Sequence, residues 1–411
     1  MSTNPNRRVL RSFLRARWLS ARLRNQRALN AHHQEQMRHW RTHVRESFPH
    51  HDPLTLTMNK DVLMKDFSAF NQERLSAEEV RLKLEQGYVH HDIACGTSTG
   101  TSGNRGLYVI TDGERYQWLG IILAKALPEV WRQKHRVAII LPQNSALYQA
   151  GNQSQWLQVQ FYDLRAGPED WSPKLLEFDP TVVVAPPKVL RWLAENSDLD
   201  RLKPKRLFSA AETLDNPDRA SIEAAFGLRL GQIYMATEGL LGVTCSHGTL
   251  HLTEDYVKFD FDWISNTLAA PIITDFTRRY QLMAGYEMND LLHLQDQPCA
   301  CGSPLQPVRE IVGRRDDVFY FDSHMVTPDV MRNAVLDADH RINDFRIQQQ
   351  PDQSLVLSLA PDLSGDIRAN AQASLRQVLE RRGFNPKIKV QNLSRDDLFS
   401  RKLRRVERLR T

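Results

Sequence analysis

The stretch His91-Asp92-Ile93-Ala94-Cys95-Gly96-Thr97-Ser98-Thr99-Gly100-Thr101-Ser102-Gly103-Asn104-Arg105-Gly106 decides how this chain is read. From Gly96 to Gly106 nearly every residue is Gly, Ser or Thr. Leu107-Tyr108-Val109-Ile110 follows as a strand pattern, and a helical pattern runs on from about Asp112 to Gln133. Glycine lets the backbone approach a ligand closely, amide N–H groups can converge on one concavity, and hydroxyls add donors, so the loop suits phosphate. A plain flexible connection has the same composition. The Walker arrangement is absent, because no Gly-Lys-Ser/Thr closes the loop.

Downstream, strand and helix patterns alternate. Arg136–Leu141, Gln160–Leu164, Thr181–Ala185, Lys205–Ser209 and Leu228–Tyr234 read as strands. Helices are expected from Pro187 to about Glu195 and from about Asn216 to Phe226. Buried strands alternating with helices predict an α/β domain with a largely parallel sheet, whose ligands sit at the carboxyl ends of its strands. From about Asp317 the pattern changes to helices near Thr327–Ala338 and Gly365–Arg382 among strands Phe345–Gln348, Leu355–Leu359 and Lys387–Val390. This predicts a small α+β domain after a polar, glycine-started junction, Gly313-Arg314-Arg315-Asp316-Asp317.

Upstream, Ser76-Ala77-Glu78-Glu79 is a capping box that opens a helix to about Gln86. The first 47 residues carry Arg7, Arg8, Arg11, Arg15, Arg17, Arg22, Arg24 and Arg27, with no acidic residue before Glu35. Leu10, Phe13, Leu14, Trp18, Leu19 and Leu23 recur at helical spacing, giving a basic amphipathic helix. Such a helix serves a membrane surface, an acidic partner or its own protein; packing its stripe on the main domain is the expectation. The expected organisation is therefore a helical segment 1–54, a large domain 55–315 and a small one 316–411.

The totals bound the function. At 411 residues, 41% hydrophobic and 25% charged, the composition is that of an ordinary soluble protein of two or three domains. No stretch approaches the roughly 18 consecutive apolar residues of a membrane span, and no secretory leader is apparent. Four cysteines in so long a chain point to a reducing, cytoplasmic setting rather than a disulfide framework. A net charge of +5 permits anionic ligands such as nucleotides without calling for nucleic acid.

Three further clusters carry chemistry. Tyr234-Met235-Ala236-Thr237-Glu238-Gly239 directly follows a strand; its hydroxyls and carboxylate suit phosphate and a divalent cation, or Thr237 caps a helix. Asn289-Asp290 offers a carboxylate for ribose hydroxyls, or a turn aspartate. Cys299-Ala300-Cys301 has Cys95 and Cys245 as the remaining thiols, and Cys245-Ser246-His247-Gly248-Thr249-Leu250-His251 adds two imidazoles. Cys245, Cys299 and Cys301 with one histidine would make a closed tetrahedral zinc shell; buried free thiols are the alternative. The terminal Arg401-Lys402-Leu403-Arg404-Arg405-Val406 reads as a solvated charge run.

In this order the clusters resemble the adenylate-forming superfamily of acyl- and aryl-CoA synthetases, within it the phenylacetate-CoA ligase and coenzyme F synthetase-like branch. The matching residues are the loop Ser98-Thr99-Gly100-Thr101-Ser102-Gly103, the motif Tyr234 to Glu238, Asp290, the hinge Gly313 to Asp317, and the late Lys402. The resemblance runs from about residue 55 onward. It implies a large adenylate-forming domain with mixed, largely parallel sheets and a small mobile C-terminal α+β domain.

The resemblance also implies the roles. The 98–103 loop would hold the β- and γ-phosphates of ATP, Thr237 the α-phosphate, and Glu238 a Mg2+ ion. Asp290 and Arg314 would grip the ribose, with Tyr234 beside them and Glu212 in the adenine loop. Lys402 would reach the α-phosphate and the carboxylate, and Asp316 would be the hinge. A structural zinc would sit on Cys245, His251, Cys299 and Cys301, with His247 competing as ligand. The activity implied is ATP-dependent activation of a small carboxylic acid, then transfer to a thiol of CoA or of a carrier-protein phosphopantetheine. An acidic acyl carrier protein would suit the basic N-terminal helix, and Met235 would narrow the pocket toward a small or flat, aryl-type acid. The alternatives are AMP transfer to a phenolic hydroxyl, or a nucleotide-binding subunit without catalysis.

Three departures stand out. Gly285-Tyr286-Glu287 replaces the family's Arg-Tyr-Arg, leaving Arg278 or Arg279 to supply the missing cation. Arg401 stands where a glycine normally precedes the late lysine. Phe319-Tyr320-Phe321 follows the hinge where a glycine-containing hairpin is commoner.

Overall fold

A computed structural model describes residues 5–85, 93–97, 106–142, 157–394 and 404–409. The 98–103 loop and Lys402 lie outside the described residues. The chain opens with four helices, α1 (Pro5–Arg22), α2 (Gln26–Ser47), α3 (Lys60–Lys65) and α4 (Ala77–Glu85). Asn25 breaks the first basic helix from the second by accepting the Ala28 amide at 2.9 Å as an N-cap. The Ser76–Glu79 box forms as expected, each residue bonding the other's backbone amide.

Strands β1 (Ile93–Thr97) and β2 (Leu107–Thr111) pair antiparallel, with Thr97 opposite Leu107. The helix after them, α5 (Asp112–Ala126), starts on a second reciprocal box between Thr111 and Glu114. It ends at Ala126, not Gln133, because the Leu127 amide closes back on Leu123 and Pro128 has no N–H with which to continue. The alternation then proceeds as β3 (His135–Leu141), β4 (Leu157–Asp163), α6 (Pro168–Phe178), β5 (Val182–Ala185), α7 (Pro187–Glu195), β6 (Arg206–Ala210), α8 (Asn216–Phe226) and β7 (Leu230–Ala236). Pro187 sits in the first turn of α7, and Gly227, at φ +63°, caps α8 in the left-handed region.

Strands β3 to β7 are parallel, in the order β4-β3-β5-β6-β7. The order reverses beside β3, which opens a crevice at the carboxyl ends of its strands. From β7 the sheet turns antiparallel. β8 (Gly239–Thr244), β9 (Leu250–Leu252), β10 (Val257–Trp263), β11 (Leu268–Asp275), β12 (Tyr286–Glu287), β13 (Asp290–Leu294) and β14 (Pro307–Arg314) continue it. The sheet is thus half parallel and half antiparallel, and the second half is what the alternation of patterns did not resolve.

The last part builds its own core. β15 (Phe319–Phe321) and β16 (His324–Val326) form a hairpin. α9 (Pro328–Leu336) and α10 (Gly365–Glu380) pack on β17 (Phe345–Gln349), β18 (Leu355–Leu359), β19 (Ile388–Asn392) and β20 (Val406–Arg408), in the order β19-β18-β17-β20. Phe319 and Phe321 are buried there with Phe345, Ile347, Leu357 and Leu375. This gives the Phe-Tyr-Phe departure its reason: the hairpin is an anchor of the small core. Between the two cores lies a buried ion network. Arg405 pairs with Asp215 and, at 3.1 Å, with Asp218; Arg191 reaches both Asp218 and Asp344 at 2.6 Å; Arg332 bonds Asp215 and Glu310. Arg405 therefore does not belong to a solvated tail.

Candidate active site

A cleft of about 700 Å³ opens at the carboxyl ends of β3, β5, β6 and β7. Part of its lining is apolar: Trp118, Leu119, Ile122 and Leu123 of α5, with Val137, Ile139, Val159, Val184 and Phe208 of the sheet. The rest is polar and collects residues from elements far apart in the chain: Gly96 and Thr97 at the base of the phosphate-type loop, Glu212, Tyr234 to Glu238, Asp290, and Arg314. Such a mixed lining fits a ligand that carries both an apolar and a polar group.

Tyr234 and Asp290 are joined directly, the phenol donating to the Asp290 carboxylate at 2.6 Å. Burial, with Asp290 beside it, pushes the Tyr234 hydroxyl well above its ordinary range, so it stays a donor. Thr237 caps no helix; it stands in the tight turn between β7 and β8, where Ala236 faces Gly239. Glu238 follows in that turn. Burial raises its carboxyl, against a hydrogen bond from Tyr286. A divalent cation beside it would reverse that balance. Glu212 is paired with buried Lys188 of α7 at 3.2 Å. The Ser209 hydroxyl, 2% exposed and at the cleft wall, has no hydrogen-bond partner among the described residues and is available to a polar ligand.

Arg314 ends β14 at the cleft, and Asp316 lies one turn on, accepting the Asn289 amide at 2.7 Å. Met235 also lines the cleft. Neither arginine proposed for the missing cation lines the cleft, although the charge of Arg278 reaches Glu238. Arg278 is fully buried beneath Trp118, its guanidinium 5.4 Å from the ring, and bonds Gln281 beside Glu114 and Asp275; Arg279 is exposed elsewhere. Desolvation keeps Arg278 below its ordinary pKa even so.

Among the described residues, the cations at the cleft are Lys60, Arg115, Lys188, Arg314, Arg332, Arg404 and Arg405. Lys60 opens α3, whose preceding strand-like residues run beside Tyr286: the Met58 amide bonds Gly285 O, and the Glu287 amide bonds Met58 O. Gly285 has φ +52°, and a Cβ there would sit 2.6 Å from Leu56 O. The segment 56–60 thus fills the space a side chain at 285 would need and brings Lys60 to the cleft. Sequence reasoning missed Lys60 because the pairing of Met58 that brings it to the cleft is with Gly285 and Glu287, more than 200 residues away. It missed Arg405 because one basic residue in a basic run carries no mark of burial.

The cysteine cluster forms where the turn after β8 and the turn between β13 and β14 meet β9. The ligand atoms of Cys245, His251, Cys299 and Cys301 lie within 4.8 Å of one another. Cys245 Sγ and Cys299 Sγ are 3.8 Å apart, as about 2.3 Å Zn–S bonds at a tetrahedral angle require. Cys301 Sγ is 3.4 Å from His251 Nε2, while His251 Nδ1 is fixed at 2.8 Å by Leu305 O. Turns closed by the Gly248 and Gly302 amides, both glycines at positive φ, present the thiols. The His247 amide also approaches Cys245 Sγ at 3.4 Å. The His247 ring is exposed beside Ser246, so the competing ligand is not part of the cluster.

Neither a family model nor a curated protein sequence matches the chain. Its architecture is nevertheless shared with solved structures. A 2-hydroxyisobutyryl-CoA ligase in the postadenylation state, in complex with 2-HIB-AMP, superposes with a TM-score of 0.68 at 16% identity, covering 92% of this chain and 88% of that one. A fatty acyl-adenylate ligase structure, from work on the E. coli and L. pneumophila enzymes, gives 0.53 at 12% identity over 75% and 67%. The amide bond synthetase of Marinactinospora thermotolerans gives 0.52 at 13% over 71% and 64%. With its half-parallel, half-antiparallel sheet, its cleft at the strand ends and its separate C-terminal core, the chain has the fold of the adenylate-forming ligases.

Proposed function

We propose that this protein activates a carboxylic acid with ATP as an acyl- or aryl-adenylate and transfers the acyl group to a thiol. The observation that carries the reading is the convergence of Tyr234–Glu238, Asp290 and Arg314, tied by the Tyr234–Asp290 hydrogen bond, on one cleft that also has an apolar lining. A carboxylate oxygen attacks the α-phosphorus and pyrophosphate departs. A thiol sulfur then attacks the carbonyl carbon, AMP leaves with the former carboxylate oxygen, and the thiol proton passes to solvent. The work of the protein is positioning and charge screening.

In this reading Asp290 and Arg314 hold the ribose, Glu212 and Ser209 flank the adenine, and Thr237 bonds the α-phosphate. The 98–103 loop takes the outer phosphates, and Lys402 bridges phosphate and carboxylate. Glu238 would hold Mg2+, which when bound screens the phosphates. Lys60 supplies the cation that the Gly285–Glu287 departure removes. Residues 316–411 act as a lid that turns about Asp316 after adenylation. Cys245, His251, Cys299 and Cys301 hold a structural zinc. The branch resembling phenylacetate-CoA ligases, an aryl acid as substrate, and CoA or a carrier-bound phosphopantetheine as acceptor belong to the same proposal.

ATP–pyrophosphate exchange with aryl, short-chain and long-chain acids tests it. Exchange that depends on one acid class is expected. Lys402→Ala should abolish that exchange and spare ATP binding, and Lys60→Ala should raise the ATP requirement at least tenfold while Lys60→Arg restores it. ATP binding without exchange for any acid would shift the assignment to AMP transfer onto a hydroxyl or to a nucleotide-binding subunit.

A further inference from the structure

Helix α1 has two apolar faces. The inner one, Phe13, Ala16 and Leu19, is buried, and the helix lies along α5, where a Cβ on Gly120 would meet Val9 O at 2.7 Å. The outer face carries Leu10, Leu14 and Trp18, which are 53%, 57% and 57% exposed. At 3.6 residues per turn these three fall within an arc of about 80°, opposite the buried face. Half of the apolar stripe legible in the sequence therefore does not pack on the protein.

Charge says what the outer face suits. Arg17 flanks the stripe on one side, Arg11 and Arg22 on the other, and Arg22 lies 5.1 Å over the Trp18 ring. Arg7, Arg8, Arg11, Arg15, Arg17, Arg22, Arg24 and Arg27 are all exposed, and no acid interrupts them before Glu35. The positive balance of the whole chain resides here: without these eight arginines the sequence holds 46 basic against 49 acidic residues. A second copy of this face would meet arginine with arginine, which disfavours a homodimer. The helix is convex and offers no groove for a partner side chain. An aliphatic and tryptophan ridge between rows of arginine matches the interfacial zone of a bilayer, with ring and leucines at the acyl boundary and guanidinium groups at phosphate level. No described helix is long and apolar enough to cross a membrane, so the contact is with its surface.

We infer that the outer face of α1 docks this protein on anionic lipid surfaces through Leu10, Leu14 and Trp18, with the flanking arginines on the lipid phosphates. This is independent of the catalytic reading.

Co-sedimentation of the full chain with phosphatidylcholine vesicles, with and without phosphatidylglycerol, tests the inference. Binding is expected only with the anionic lipid and should weaken as salt rises. Leu10→Ser/Leu14→Ser/Trp18→Ser should reduce partitioning about tenfold or more. Arg7→Gln/Arg11→Gln/Arg17→Gln should reduce it roughly a hundredfold. These positions are exposed, so an unchanged thermal transition confirms that each variant is folded. Failure to bind anionic vesicles, or equal binding by the wild type and the stripe variant, overturns the inference. So does saturable binding to an acidic carrier protein that the stripe variant loses while vesicles remain unbound, which would reassign the face to a protein partner.

Discussion

Asp275 shows how a single buried carboxyl can organise the wall of a cleft. It accepts both the amide and the hydroxyl of Thr277, at 2.7 and 2.6 Å, and Thr277 in turn accepts the indole N–H of Trp118 at 2.8 Å. Gly239 leaves room for it: a Cβ there would lie 2.7 Å from the carboxylate. Burial pushes Asp275 up to about 6, against the Thr277 hydrogen bonds and the nearby Arg278. The fold thus favours the protonated form. Its contribution to stability is complete below the unfolded carboxyl value and is lost as pH rises through about 6. Thermal unfolding should therefore show a loss on the order of 2–3 kcal/mol between about pH 4 and 6 that Asp275→Asn flattens. Parallel pH profiles for the two proteins would rule this assignment out. None of this was legible in the sequence. Asp275 belongs to no motif, and its pairing with Thr277 and Trp118 appears only when β11 and α5 meet.

Elements were legible where their period was unmixed. The strand-helix alternation from Thr181 to Tyr234 and the patterns from Phe345 to Val390 give elements within a few residues of those found, since short apolar runs there are separated by helical patterns and by Pro, Gly or polar breaks. Among the antiparallel strands from Gly239 to Arg314, β8 and β9 escaped because they are buried at every residue, which erases the period-two signal. Their turns carry the cysteine cluster, for which spacing offered the residues and folding chose His251 over His247. Elemental analysis should find about one zinc per chain, and Cys299→Ser should release it and lower the melting temperature. A folded, metal-free wild type would reject the site. Where α1 lies on α5 the constraint is steric. A Cβ on Gly120 would approach Ser12 Cβ at 2.5 Å as well as Val9 O at 2.7 Å. Gly120→Ala should cost about 1–3 kcal/mol in denaturant unfolding, despite the better helix propensity of alanine.

At the scale of the molecule, the change of pattern near residue 317 falls where a second hydrophobic core begins with Phe319, and of the five clusters the three that are described, Tyr234 to Glu238, Asp290 and Gly313-Arg314, line one cleft. They did not foretell what holds the two cores together. Arg191, Arg332 and Arg405 meet Asp215, Asp218, Asp344 and Glu310 across the junction, and pairings between residues 22 to 190 positions apart leave no local pattern. Removing one member leaves buried charge uncompensated. Arg405→Ala should destabilise the chain by about 3–5 kcal/mol in urea and enlarge its radius of gyration in solution scattering, whereas an unchanged radius would mean that the network does not hold the units together.

Helix α5 serves two neighbours at once. Trp118, Leu119, Ile122 and Leu123 line the cleft, while Gln117 and Gly120 receive α1. Redesign of the apolar lining would therefore have a mechanical side effect. A side chain that pushes α5 outward by a fraction of an ångström is transmitted through the glycine contact to α1, so the width of the cleft and the seating of the N-terminal helix would drift together under directed evolution.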